Sequence, residues 1–165
     1  MRDVSLKKVF INNYSCKFWL IFSILSPAFG ILVLLSVSDI IPRFPLTEDM
    51  TVLTAGIIMA VCIGITAAGI LVIKGTVGRL NRIFNCGELV YAKITDLNAG
   101  KHQITVKYEF EFNGEKYKDC HQIARNFNFK KDYVEESVKE IYVLKEENGK
   151  LLTALDIYTR HDDAE

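Results

Sequence analysis

Between residues 18 and 38 the sequence has no charged side chain, and it has none again between residues 50 and 73. The first gap is 21 residues long, bounded by Lys17 and Asp39; the second is 24 long, bounded by Asp49 and Lys74. At ~1.5 Å of rise per residue, a helix over either run covers about 30 Å, the hydrocarbon thickness of a bilayer. The core helix of a soluble protein seldom stays uncharged over such a length. A cleaved leader has a shorter apolar stretch ending at small residues, whereas the first run has no A-x-A site. Both runs also lack histidine. Intramembrane ionisable groups mark ion pathways and proton relays, so their absence argues against a transporter or channel working alone.

Other scarcities narrow the field further. Lys and Arg number 20 against 20 Asp and Glu. From residue 75 onward the balance is 14 against 16, about −2, which gives no electrostatic footprint for nucleic acid. The four cysteines, Cys16, Cys62, Cys86 and Cys120, are far apart and form no CxxC pair, so they read as free thiols in a reducing compartment rather than zinc ligands or a disulfide framework. Cys62 lies inside an apolar run and reads as a small hydrophobe. Of three prolines, Pro42 and Pro45 fall in the connector 39–49, where they suit a short turn, and Pro27 falls inside the first run. Lys74-Gly75-Thr76 lacks the rest of a phosphate loop.

What is present sorts into segments: an N-terminal stretch 1–17, apolar helices 18–38 and 50–73 joined by an external loop 39–49, a basic linker 74–86, a β domain 87–160 and a tail 161–165. Arg2, Lys7, Lys8 and Lys17 precede the first helix, Arg43 alone stands in the connector, and Lys74, Arg79 and Arg82 follow the second. That bias places both termini in the cytoplasm and the chain in the cell membrane as a multi-pass protein. Phe18 and Trp19 suit the interface at the inner end of helix one. In helix two, Gly56, Ala60, Gly64 and Ala68 recur every four residues, a stripe that lets another helix approach closely. Its partner is either helix one, through Ser26 and Gly30, or another membrane protein or copy; the contact with helix one is the preferred reading.

After Gly87 the apolar period becomes two. Val90, Ala92 and Ile94 alternate with Tyr91, Lys93 and Thr95, and residues 98–102 read as a turn. Ile104, Val106, Tyr108, Phe110 and Phe112 then face one way while the residues between them are polar, the pattern of a half-buried antiparallel strand. Asn113-Gly114 is a type I′ hairpin signal. A third strand follows over 115–124, a helical turn is expected at 133–136, and further strands over 138–144 and 151–158 are separated by a turn at Asn148-Gly149. Five short strands in this length predict a small barrel or curled antiparallel sheet. The fold class expected is a two-helix membrane hairpin followed by a barrel-like β domain.

The β region resembles a bacterial family of unknown function found in small membrane proteins, on Gly87-x-x-Val90-x-Ala92-x-Ile94 and Val106-x-Tyr108-x-Phe110-x-x-x-Gly114-x-x-Tyr117. The match runs over about residues 87–145. The resemblance implies a compact β domain in a membrane context and brings no chemistry with it.

Asp119, Cys120 and His121 invite a ligand or nucleophile reading, but neighbours on a strand point to opposite faces, and zinc needs three or four converging ligands. His102 falls in a turn and His161 in the tail; the paired acids 135–136, 146–147 and 162–163 read as solvated faces. Asn13-Tyr14-Ser15 fits a glycosylation sequon by chance, on the cytoplasmic side. The loop holding Arg125, Phe127, Phe129, Lys130 and Lys131 interleaves cations and aromatics, which suits an interaction surface or, as the blander reading, aromatics closing the core. No catalytic residue, cofactor or metal is expected. The function expected is a non-enzymatic, membrane-anchored binding or scaffolding module whose partner is the bilayer, with another membrane protein or a second copy of the chain as further candidates; an accessory subunit docking through the helix-two stripe is the alternative. A cleft gathering Asp119, His121 and a further polar residue would favour a membrane-surface enzyme.

Overall fold

The structure, a computed structural model, describes residues 4–42, 44–125 and 136–158. Its elements in chain order are α1 (Leu6–Asn12), α2 (Tyr14–Val37), α3 (Val52–Cys86), β1 (Glu88–Ala99), β2 (Gln103–Phe112), β3 (Glu115–Ala124), β4 (Val138–Lys145), β5 (Leu151–Leu155) and a 3-10 turn (Asp156–Tyr158). They fall into two compact units: residues 18–74, and a second built from the described parts of 1–17 and 75–165.

In the first unit, α2 continues through Pro27 and packs on α3. Both helices are long and apolar enough to cross a membrane, and only 22% and 11% of their most apolar windows are buried. Helix one contributes its small residues to the contact, as expected. Gly30 faces Met59 and Cys62, and the Ser26 hydroxyl donates to the Cys62 carbonyl at 3.3 Å. Helix two does not contribute the expected stripe. A Cβ added at Gly56 or Gly64 meets nothing within 4 Å, and Gly56, Ala60, Gly64 and Ala68 are all exposed. The face that meets helix one carries Ala55, Met59, Cys62 and Gly69 instead. A helix has more than one face at a spacing of three to four, and sequence spacing alone does not say which one turns inward. Gly69 is the tight point: its missing Cβ would collide with Ser23 Oγ and lie 3.1 Å from Trp19 Cε3 and 3.3 Å from the Trp19 carbonyl oxygen. Gly69→Val is therefore expected to loosen the hairpin, lowering the melting temperature of the detergent-solubilised protein more than Gly56→Val does. The connector is closed by two buried hydroxyls, Ser36 and Thr47, 2.8 Å apart.

In the second unit the five strands form one antiparallel sheet in the order β3-β2-β1-β4-β5. The alternation read from the sequence sets the inner face: Ile94, Val106, Tyr108, Phe110, Ile123 and Ile141 belong to one buried cluster. The sheet curls until its edge strands β3 and β5 nearly meet. No backbone ladder joins them among the described residues; side chains do, as described below. Asn113 and Gly114 take φ of 54° and 81°, the left-handed pair a type I′ turn requires. At Asn148-Gly149 only Gly149 is left-handed (φ 81°), and the loop is closed by Glu146 N–H to the Lys150 carbonyl at 2.8 Å. Strand β1 is longer than the sequence pattern suggests and carries a bulge between Ile94 and Asp96 in its pairing with β2. The last strand stops at Leu155, and the chain turns through the 3-10 segment toward α1.

Two segments differ in kind from their sequence reading. Residues 74–86, read as a linker, are the last turns of α3, and Leu80, Ile83 and Phe84 are buried. Residues 4–17, read as a separate stretch, join the same core. Val9 and Cys16 pack with Ile83, Phe84, Tyr142 and Tyr158, and the Phe84 and Tyr142 rings meet edge to face at 4.8 Å. Ser5 caps α1 and its N–H donates to the Tyr158 carbonyl at 3.0 Å. Both segments are amphipathic around an apolar stripe that only the outer face of β4 and β5 completes, which is why neither shows as domain structure in the linear pattern. The helical turn expected at 133–136 lies outside the described residues except for Glu136, as do Phe127, Phe129, Lys130 and Lys131.

Candidate functional site

Strand parity turns Tyr117, Asp119, His121 and Ile123 of β3 toward the inside of the curl. Two of these are polar, and register sets Asp119 opposite Tyr108 and His121 opposite Val106. Strand β5 brings Thr153, which is buried, to the same place. The four polar side chains form one chain of hydrogen bonds: Thr153 Oγ1 donates to Asp119 Oδ2 at 2.5 Å, Tyr108 OH lies 2.8 Å from Thr153 Oγ1, and His121 Nδ1 lies 2.9 Å from Tyr108 OH. The other carboxylate oxygen of Asp119 accepts the Cys120 N–H at 2.7 Å. These bonds bridge β3 to β5 and close the sheet by side chains where the backbones do not pair.

Proton counting fixes the direction of the chain. A hydroxyl has one proton to give, and a carboxylate has none. Thr153 gives its proton to Asp119, so the Tyr108 hydroxyl must donate to Thr153. The Tyr108 oxygen then accepts, and the group facing it must be His121 Nδ1–H. Neutral His121 therefore carries its proton on Nδ1 and leaves Nε2 a bare acceptor. Nε2 has no hydrogen-bond partner among the described residues.

Burial favours the neutral forms of Tyr108, Tyr158 and His121. Burial holds the Tyr108 phenol far above its ordinary pKa. Tyr158 is pushed up to about 12, again mainly by burial. Burial pushes His121 below its ordinary 6.5; the Arg79 charge adds to that, and the Asp119 carboxylate opposes it. Above pH ~6.5 the folded and unfolded chains both hold neutral His121. As pH falls through that value the unfolded chain takes up a proton that the folded site resists, so stability drops on acidification. Thermal melts of the detergent-solubilised protein are expected to move to lower temperature as pH falls below ~6.5, and less steeply in His121→Gln.

His121 borders an open recess of about 400 Å³ lying wholly within the second unit. Its polar border carries Ser15, Thr76, Arg79, His121 and Gln122, and its apolar floor is Leu80, Ile83 and Tyr158. Cys120 also borders it, because β3 is an edge strand and offers consecutive residues along its free side. Cys120 is exposed and makes no hydrogen bond to His121 among the described residues, as strand parity requires. Asn13 ends α1, and its side-chain oxygen accepts the Cys16 N–H at 3.0 Å to start α2, so a residue read as part of a chance sequon shapes the recess wall.

The sequence pattern named Tyr108 as an inward aromatic and Arg79 as a basic residue after the second apolar run, placed neither in a site, and did not single out Thr153. The available signal was parity: Asp119 and His121 stand at inward positions of a strand, where a buried polar group needs a partner. Of the expected interaction loop, Arg125 is exposed and its guanidinium donates to the Gly100 carbonyl at 3.4 Å. His102 is exposed. Among the described residues no group of three or more His, Cys, Asp or Glu is placed to hold a metal ion. No family model, curated protein or solved structure matches the chain.

Proposed function

We propose that this chain is a membrane-anchored, non-enzymatic binding module whose ligand occupies the recess beside His121. The observation that carries the reading is the unpartnered Nε2: it belongs to a ring that three further side chains fix in one tautomer on the border of an open recess. Ser23 Oγ is the buried polar atom without a partner among the described residues, so Nε2 is open to solvent, and a ligand donor replaces the water that otherwise completes it. No hydroxyl or thiol is set against Nε2 as a nucleophile among the described residues, which favours binding over the membrane-surface enzyme that such a cleft would otherwise suggest.

The anchor rests on the two apolar helices. Leu25 is 62% exposed, Leu53 77% and Leu71 69%, an apolar surface that water does not tolerate at this extent and hydrocarbon does. Residues 4–17 and the described parts of 75–158 share one core, so they lie on one side of any membrane, and the two helices between them make the two crossings this needs. The basic residues around them make that side the cytoplasm. Native mass spectrometry of the full-length protein released in polymer discs from its own membranes tests the binding reading. A bound small-molecule mass is expected, and it is expected to be lost in Ser15→Trp, which fills the recess mouth. Wild-type protein free of any such mass contradicts the reading.

A second reading, an accessory subunit or self-associating anchor, is favoured by the exposure of all four small residues of the Gly56–Ala68 stripe. Gly64→Leu is expected to dissociate such an assembly on a native gel while leaving the hairpin intact; unchanged migration rejects it.

A further inference from the structure

The geometry points to a phosphate oxyanion that also carries an O–H, a monoester in its singly protonated form, as the ligand of the recess. This rests on the binding reading above and names its chemical class. Nε2 of His121 is an acceptor, so the ligand must bring a donor. Arg79 borders the recess and makes no ion pair among the described residues, whereas Arg82, one turn further along α3, is paired with Glu146 at 3.1 Å. Among the described residues no carboxylate borders the recess, and Ser15 and Thr76 add hydroxyls there. The site thus asks for a negative charge and a proton donor on one small group. A carboxylate has the charge without the proton. An ammonium has the proton with the wrong charge beside Arg79. A phosphomonoester, with its second pKa near ~6, keeps about a tenth of its population singly protonated at neutral pH, and that form carries both and suits the planar fork of a guanidinium.

Two sources supply this chemistry: a soluble phosphomonoester, or the headgroup of phosphatidic acid. Ser15 and Thr76 each stand three residues from an apolar run, so the recess is built from the part of the chain nearest the lipid headgroups in the anchored reading. The apolar floor is suited to the glycerol end of either.

Full-length protein labelled with 15N-histidine, in phosphatidylcholine discs, provides the test. The three histidines give separate signals, with His102 and His161 as references. Before ligand, His121 is expected to show an unprotonated Nε2. Titration with glycerol 3-phosphate is expected to shift that nitrogen saturably, and Arg79→Gln to raise the midpoint about tenfold, about 1.4 kcal/mol. Arg82→Gln, which removes an equal charge outside the recess, is expected to stay within about twofold, a difference of ~0.4 kcal/mol. A shift seen only when the discs contain phosphatidic acid assigns the lipid source; a shift with the soluble ester assigns the free one, and either supports the proposal. No shift with either, or equal midpoints in Arg79→Gln and wild type, overturns it. Should a recess-dependent mass persist in that case, the ligand class fails and the binding reading stands; should it be absent too, both fail.

Discussion

Val9→Asp is expected to abolish the cooperative unfolding of the β domain, although it lies some eighty residues before the first strand. Val9 is fully buried among Ile83, Phe84, Tyr142 and Tyr158. A carboxylate there would be set among these apolar side chains, and leaving a buried charge unpaired costs about 3–5 kcal/mol. A small domain holds only ~5–15 kcal/mol in total. Lys7→Asp, on the exposed side of the same short helix, serves as the control and is expected to change little. Limited proteolysis in detergent reads the outcome: strands protected in wild type and Lys7→Asp become cleavable in Val9→Asp. Undiminished protection in Val9→Asp would mean that the N-terminal segment is no part of the core.

The second large effect belongs to Gly87, where α3 hands over to β1. Its backbone N–H donates to the Ile83 carbonyl at 2.8 Å, and β1 starts its pairing with β4 at the next residue. A Cβ at this position would run into that same Ile83 carbonyl oxygen and lie 3.0 Å from the Val143 carbonyl oxygen. Both obstacles are backbone, so no rotamer change relieves them. Gly87→Ala is expected to cost at the upper end of the ~1–3 kcal/mol typical of overpacking, and to shift the urea midpoint of the β domain accordingly. Gly75→Ala is the contrast: nothing lies within 4 Å of its missing Cβ, it sits mid-helix, and the substitution is expected to be neutral or slightly stabilising. Equal midpoints for Gly87→Ala and wild type would show that the close approach of helix end and strand is not a constraint.

Much of this fold is legible from periodicity. The uncharged runs announce two helices, and the alternation from Val90 through Phe112, punctuated by Asn113-Gly114, announces the hairpins and which side chains turn inward. Residues 74–86 and 4–17 are harder to read, because their apolar stripes match a partner surface far away in sequence. Phe84 becomes intelligible only beside Tyr142, and Val9 only beside Tyr158. The stripe in α3 shows the same limit from the other side: Gly56 and Gly64 have the spacing of a packing face, yet Gly69, outside that series, is where α2 comes closest. The candidate site was legible only in fragments. Asp119 and His121 stand out as inward polar residues of β3, but Thr153 and Arg79 reach them through the curl of the sheet and the run of α3 into the domain, which no local pattern encodes.

The proposed function requires two crossings that leave one folded domain on a single side. Labelling intact cells with a membrane-impermeant maleimide tests this directly, since the exposed Cys86 and Cys120 lie in the domain and Glu48→Cys places a thiol in the connector. Glu48→Cys is expected to react from outside, while Cys86 and Cys120 react only after the cells are permeabilised. Reaction of all three thiols from the same side, or recovery of the full-length chain in the supernatant after membranes are sedimented without detergent, would contradict it.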